Sequence, residues 1–528
     1  MKKKILLILL PLLLSCSTSN TSSINENEDI YVSKIVTSSK KNYLEVDGYP
    51  FIYNGIQIRT DWLINEQNET IDDMEYYFKI AQELGTKCVE IPLRWKDLEP
   101  KKDAYDFRNV SKYMSFAKKY NLRVEFLLFG INIGGMTGNV PDYIKKNEET
   151  YPQYKNTLNH PDALFFVQDN KNTLSREKKC AEALMDAIYQ WSLLNKYNAC
   201  ISIQVRNEPD LYFSKVEQYS LKKENGENLS LQEAKNETLL AIKEIASAIK
   251  NSKYKVITRV NVCCYNQHPE ENYELWNDIL ALENINIVGE DTYSPNIDFN
   301  KSIIERMNSN IVKNYATIPQ IAENTGHYEN NNSLFLMANM LGAGYNLYDM
   351  ITPSVITDTW GYYDWGLLDN KTKKPKETFS NTQKALDGIN LAGHLFATTP
   401  SEDIACFNIE SNTSKKSINQ TINTTKTTYS FQTDNNAIGY AINNNNYLYL
   451  FSDKSSTITI SNTTLEDNIV QTGYVNEKGE FISNDSQTIT NNTINLIGEK
   501  LYRIKASSLA NLESTTISSI HSEVNNEN

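Results

Sequence analysis

Two glutamates in this chain stand where a carboxyl group is costly unless it has a partner or a task. Glu208 ends the stretch Gln204-Val205-Arg206-Asn207-Glu208, before Pro209, and Glu323 ends Pro319-Gln320-Ile321-Ala322-Glu323. Each closely follows apolar, strand-like residues, where an unpaired carboxylate is expensive to bury. Two carboxyls acting together can divide acid–base and nucleophilic work. In retaining glycoside cleavage such a pair lies ~5–5.5 Å apart across the scissile bond. One protonates the leaving oxygen, and the other attacks the anomeric carbon to form a glycosyl-enzyme. The pair needs two environments, one that keeps a proton and one that keeps a charge. Glu208 and Glu323 are 115 positions apart, so only a fold that carries the chain around and back brings them together.

The rest of the sequence supplies such a fold. Short apolar or β-branched runs alternate with segments of helical period. The runs fall at 51–59, 88–95, 123–129, 201–208, 256–264, 285–293, 318–323 and 344–350. Helices are predicted after each, at 71–84, 110–120, 180–194, 231–249, 273–282, 303–314, 333–341 and 376–389. Eight βα units predict an α/β (β/α)8 barrel of the TIM type, whose active sites gather at the C-terminal ends of the strands. Glu208 and Glu323 then sit at the ends of strands four and seven. No glycine-rich phosphate fingerprint follows the first strand, which argues against a dinucleotide fold.

After residue 398 the texture changes to Asn, Thr and Ser with alternating strands at 437–442, 447–452, 457–460 and 501–504. This reads as a small antiparallel β domain, sandwich-like, over 398–507. Lacking an obvious aromatic platform, it is expected to brace the barrel rather than to bind sugar. The catalytic barrel is assigned 41–397, and 508–528 reads as a disordered polar tail.

At the N-terminus, Lys2, Lys3 and Lys4 precede an apolar run from Ile5 to Leu14, a signal-peptide pattern too short to span a bilayer. It runs into Leu13-Leu14-Ser15-Cys16, which resembles a bacterial lipobox and implies lipidation at Cys16. The expected organisation is a signal peptide over 1–16 and a flexible tether over 17–40. That predicts an exported bacterial lipoprotein held by its lipid in the cell envelope. The formal charge of −13, with no basic patch beyond the extreme N-terminus, excludes a nucleic-acid partner. Cys88, Cys180, Cys200, Cys263, Cys264 and Cys406 form no C-x-x-C pair, and the five histidines are scattered. No metal site and no cofactor are expected, and buried free thiols are.

Asn207-Glu208-Pro209 at strand four, Glu323 at strand seven and the eightfold alternation together resemble glycoside hydrolase clan A over residues 50–395. The resemblance implies Glu208 as acid/base and Glu323 as nucleophile. It also implies that Asn207 bonds the sugar 2-OH and that Tyr293, at the end of strand six, touches the nucleophile. Within the clan, Trp95-Lys96-Asp97-Leu98-Glu99-Pro100 with Tyr105-Asp106-Phe107 is similar to the W-x-x-x-E-P and Y-D-F stretches of β-galactosidase families 35 and 42. Gln204 to Glu208 resembles the family 35 segment Q-V-E-N-E, with Arg206 in place of a glutamate. Strand three ends Phe129-Gly130, without that family's acidic residue. Arg59, at the end of strand one, would place a cation near Glu323 and lower its pKa, or form a surface salt bridge. Trp360 and Trp365, in a loop with Tyr362 and Tyr363, would stack on sugar rings or pack the loop. The expected partner is an oligo- or polysaccharide, cleaved at a β-glycosidic bond in β-galactosidase fashion. The alternatives are an endo-acting family 5-like glycanase and a non-catalytic sugar-binding lipoprotein.

Overall fold

The structure, a computed structural model, describes residues 28–132, 139–157, 164–263, 269–361, 363–407, 419–433, 436–489 and 492–506. The expected signal segment with Cys16, the side chain of Trp360, all of Tyr362, Cys264 and His268, and the expected tail from 508 lie outside the described residues.

Eight parallel strands close into a barrel. They are β1 (Asn54–Gln57), β2 (Cys88–Arg94), β3 (Arg123–Phe129), β4 (Cys200–Asn207), β5 (Ile257–Cys263), β6 (Ile287–Asp291), β7 (Gln320–Thr325) and β8 (Gly344–Tyr348). Strand β8 pairs back onto β1. The helices that follow them are Met74–Leu84, Arg108–Lys119, Lys171–Asn195, Leu231–Lys250, Pro269–Leu280, Ile297–Arg306, Asn331–Met340 and Glu377–Leu391. These are the βα units expected from the sequence, with their ends displaced. Strands covered on both faces read as near-continuous apolar runs, and β2 is buried at every residue. Local signals set the helix ends. Met74–Leu84 stops at Gly85, whose φ of +90° suits glycine. Leu231–Lys250 starts at a capping box made by Ser230 and Glu233.

The barrel lumen is ionic. Arg259 of β5 lies 3.3 Å from Glu90 of β2 and 3.0 Å from Glu125 of β3, and none of the three side chains is exposed. Strands β2 and β5 are not neighbours, so this contact crosses the lumen. Tyr53 and Ser202 donate hydroxyl hydrogen bonds to Glu125, and the Asn346 amide donates to Glu90. Burial pushes Glu90 well above the usual carboxylate range, and Arg259 offsets only part of that.

From Ile404 onward the chain is antiparallel β. One six-stranded sheet runs in spatial order Ile404–Phe407, Gly439–Asn444, Tyr447–Ser452, Lys500–Ala506, Leu465–Val475, Phe481–Thr488. A four-stranded sheet is formed by Asn419–Asn423, Thr428–Thr433, Ser456–Ser461 and Thr493–Leu496. Phe407, Leu450 and Ile504 of the first share an apolar cluster with Phe431, Ile458 and Ile494 of the second. Tyr440, Phe451 and Leu501 belong instead to the large core of the barrel.

Gly388, on the barrel's last long helix, marks this junction. Its carbonyl accepts from Tyr440 Oη at 2.7 Å. A Cβ at Gly388 would stand 2.3 Å from the Phe451 ring. Gly388→Ala is expected to lower stability by about 1–3 kcal/mol through overpacking, read from urea unfolding. An unchanged midpoint would mean that the ring has room to turn.

Residues 28–40, expected to be the end of the tether, carry strands instead. Ile30–Tyr31 pairs in parallel with Tyr254–Lys255, and Ser33–Val36 pairs with Tyr43–Val46. The Ser33 hydroxyl donates to the Ile201 carbonyl and accepts from the Ile257 amide. This segment therefore docks at the N-terminal ends of β4 and β5. Its strands are only two and four residues long, too short for a period to stand out beside polar neighbours.

Candidate active site

Glu208 immediately follows β4 and is the N-cap of the helix Pro209–Gln218, with φ +45° and ψ +59°. A non-glycine residue in this left-handed region costs on the order of 1–3 kcal/mol. Its backbone N–H donates to the Asn261 carbonyl of β5 at 3.2 Å, which holds the turn. Asn207 Nδ2 donates to Glu208 Oε2 at 2.9 Å, and Gln204 Nε2 donates to Asn207 Oδ1 at 2.9 Å. Arg259 Nη2 donates to Gln204 Oε1 at 2.7 Å. A hydrogen-bonded line thus runs from the ionic lumen to the Glu208 carboxylate.

Glu323 lies within β7, and 5 % of its surface is exposed. Gln57 Nε2 of β1 donates to its Oε1 at 3.0 Å, and Tyr293 Oη donates to its Oε2. Burial raises its pKa. The Tyr293 bond, Arg259, Arg59 and Gln57 pull the other way without cancelling the rise. The charge of Arg59 lowers the Glu323 pKa as expected, and burial outweighs it. The guanidinium is committed elsewhere, with Nε and Nη2 on Asp61 at 2.9 Å each and Nη1 donating to Tyr348 Oη at 2.6 Å. Asp61 lies only two residues further on, so the pair is local in sequence.

Tyr293 is 37 % exposed, with φ +42°. Its ring meets Tyr348 edge-on at 5.9 Å, and Tyr348 meets Trp365 at 5.8 Å. Trp365 therefore joins an aromatic row at the barrel mouth beside Glu323. Trp360 ends the helix Ser354–Trp360. Tyr363, in the same segment, is largely exposed.

Sequence reasoning missed Gln57, Tyr348 and Asp291. Asp291 ends β6, is paired in register with Glu323, and is almost wholly buried. One oxygen of Glu208, one of Asp291 and Sγ of Cys263 lie within 4.8 Å of one another. Among the described residues no other three acidic, thiol or imidazole side chains come this close, and no imidazole joins them.

The features that resemble families 35 and 42 have structural work here. Trp95 Nε1 donates to Glu99 Oε2 at 3.0 Å, and the fully buried Glu99 also meets Arg176. The W-x-x-x-E stretch is a packing bracket. The two departures from family 35 form one feature. Arg206 pairs with Glu177 at 3.0 Å. A Cβ at Gly130 would stand 1.8 Å from a Glu177 oxygen, so the glycine leaves the room that Glu177 needs. The thiols of Cys88, Cys180, Cys200 and Cys406 are buried and free, and that of Cys263 is buried.

Comparison with known proteins gives a partial family match. Residues 238–414 match a family described as a domain of unknown function, DUF4978. No curated protein matches the chain. Among solved structures, similarity extends to the exo-β-1,4-mannosidase Op5Man5 from Opitutaceae bacterium strain TAV5. That match has 14 % identity and a TM-score of 0.46, over 66 % of this chain and 61 % of the mannosidase. The chain thus spans about three-fifths of that protein's length. A hyperthermophilic β-glucosidase mutant matches at 13 % identity and a TM-score of 0.43, over 59 % of this chain and 87 % of its own. A GH30 endoxylanase from Clostridium papyrosolvens C71 matches at 12 % identity and a TM-score of 0.44, over 87 % and 97 %. The barrel assignment stands on this chain's own strand pairing.

Proposed function

We propose that this protein is a retaining glycoside hydrolase acting on a β-linked glycan, with Glu208 as acid/base and Glu323 as nucleophile. The observation that carries the reading is the pair of glutamates, one just after β4 and one in the C-terminal half of β7, each held by its own donors, with Asp291 adjoining both. In the first step a Glu323 oxygen attacks the anomeric carbon while the Glu208 proton passes to the departing glycosidic oxygen. The product is a glycosyl ester on Glu323. In the second step Glu208, now a carboxylate, takes a proton from water, and the resulting hydroxyl displaces Glu323 from the sugar. An Asn side chain carries two amide N–H groups. One of those on Asn207 goes to Glu208, which leaves the other for the sugar 2-OH. The row Tyr293–Tyr348–Trp365 offers an apolar wall for a ring face.

Galactose is not the favoured sugar on these grounds, because Glu99 and Arg206 serve packing rather than the mouth. The export and lipid anchor at Cys16 remain part of the proposal. Among the described residues, no helix is long and apolar enough to cross a membrane.

The test is a panel of aryl β-glycosides with galactose, glucose, mannose and xylose, together with β-linked oligosaccharides. Cleavage should release the β-anomer first, as seen by proton NMR. Release of the α-anomer would sink the double-displacement reading. Silence on the whole panel would favour a non-catalytic sugar-binding protein.

Tyr293 gives a sharper measurement. Its bond favours the ionised form of Glu323. Without it the Glu323 pKa rises, so the acid limb of kcat/KM moves to higher pH. Tyr293→Phe is expected to lower kcat on the order of 10–100-fold, the worth of one hydrogen bond to a charged group. An acid limb that stays in place would remove Tyr293 from this role.

A further inference from the structure

Resting on that reading of the site, we propose that Asp291 is a positioning residue, a buried neutral carboxyl that lets Glu208 become negative during the reaction. The geometry gives it this place. Asn261 Nδ2 donates to Asp291 Oδ2 at 2.7 Å, while Oδ1 is buried with no hydrogen-bond partner. One of its oxygens lies within 4.8 Å of a Glu208 oxygen, and its register partner on β7 is Glu323.

The charged and titratable groups around it are three carboxyls, one guanidinium, one thiol and one phenol. Glu208 follows β4, Arg259 and Cys263 belong to β5, Tyr293 follows β6, and Glu323 lies on β7. Glu290, the preceding residue on β6, takes donors from Trp276 at 3.0 Å and Asn272 at 3.1 Å. The nearest cation, Arg259, is already shared between Glu90 and Glu125. A further negative charge at Asp291 would be desolvated and surrounded by like charge, and such a group keeps its proton. In accord with this, burial first, then Glu323, Glu208 and Glu290, hold Asp291 well above the usual carboxylate range.

The chemical consequence concerns Glu208. That residue must pass from acid to carboxylate and back within each turnover. A charged neighbour within 4.8 Å would oppose the carboxylate, whereas a neutral acid does not. The proton on Asp291 stays in place in both steps. Glu208 alone gives a proton to the leaving oxygen and recovers one from water.

The experiment compares Asp291→Ala and Asp291→Asn with the wild-type chain. Asparagine copies the shape and neutrality of the protonated acid. Alanine is expected to lower kcat on the order of 30-fold, and asparagine to restore most of it. The alkaline limb of kcat/KM in Asp291→Asn should stay within about half a pH unit of wild type. A fall of about one unit or more would mean that a negative Asp291 had been holding the proton on Glu208, and would overturn the proposal.

A second measurement is independent of activity. A group with a raised folded pKa stabilises the protein below its unfolded pKa, and that contribution fades as pH rises toward the folded pKa. Wild type should therefore lose stability relative to Asp291→Asn from about pH 4 upward, by roughly 1–3 °C of melting temperature per pH unit. A melting difference that does not change with pH would show Asp291 to be charged in the native protein. Should the wild-type chain cleave no glycoside, the functional reading fails while the melting series still decides the state of Asp291.

Discussion

Glu323→Ala is expected to lose turnover of any cleaved β-glycoside on the order of 10⁴-fold or more, with the fold intact. The loss is large because, in the proposed mechanism, attack by Glu323 is the step that other site groups only assist. Azide fits the space left by the carboxylate and should restore activity with an α-glycosyl azide as product, readable by NMR. Stability should not fall. Glu323 is buried with a raised pKa, so its folded-state preference for a proton weakens the protein as pH climbs above the ordinary glutamate value. The alanine variant should be at least as stable as wild type at pH 7. Glu208→Ala separates the two roles. Its loss should be small for a dinitrophenyl leaving group, which departs unaided, and on the order of 10²–10⁴-fold for a sugar leaving group, which must be protonated. Equal losses on both substrates would deny Glu208 the acid role. Activity surviving in Glu323→Ala would remove the nucleophile.

Arg259→Met is expected to have the largest effect on folding. Arg259 meets Glu90 and Glu125 with no surface exposed on any of the three. Removing the cation from such a set leaves carboxyls buried without their counter-charge, at about 3–5 kcal/mol. Denaturant unfolding at pH 7 measures it. Because burial holds Glu90 well above the usual carboxylate range, the loss should shrink as pH falls toward the ordinary glutamate value, where the unfolded chain carries that proton as well. Arg259 also supports Gln204, and through it Asn207 and Glu208. The surviving folded fraction should therefore show a lower kcat as well. A variant as stable as wild type would mean that the lumen does not need its cation.

The sequence makes some of this site legible and hides the rest for physical reasons. Glu208 and Glu323 stand out because a titratable group after an apolar run is unusual, and the strand ends locate them. Gln57, Asn261 and Tyr348 are ordinary residue types. Their inward aim depends on strand parity, which a shift of one residue inverts. Asp291 stands in a stretch whose sequence points equally to Glu290 and Asp291. Only the fold turns Glu290 toward Trp276 and Asp291 toward Glu208. Arg59 is legible as a cation near the mouth, but not the strength of its commitment to Asp61. In the C-terminal domain, Phe481–Thr488 is exposed along most of its length. It carries no apolar period, so its pairing with Leu465–Val475 leaves no trace in composition.

The docking of Ile30–Tyr31 beside Tyr254–Lys255 bears on how the molecule would stand on a surface. With the proposed anchor at Cys16, 13 residues lie between it and Ile30, a reach of at most ~50 Å when fully extended. The attachment enters at the end of the barrel where the strands begin, opposite the end that carries Glu208 and Glu323. Under that proposal, an anchor on this side would turn the barrel mouth away from the lipid and toward arriving glycan, and would limit the proposed enzyme to a shallow zone above the membrane.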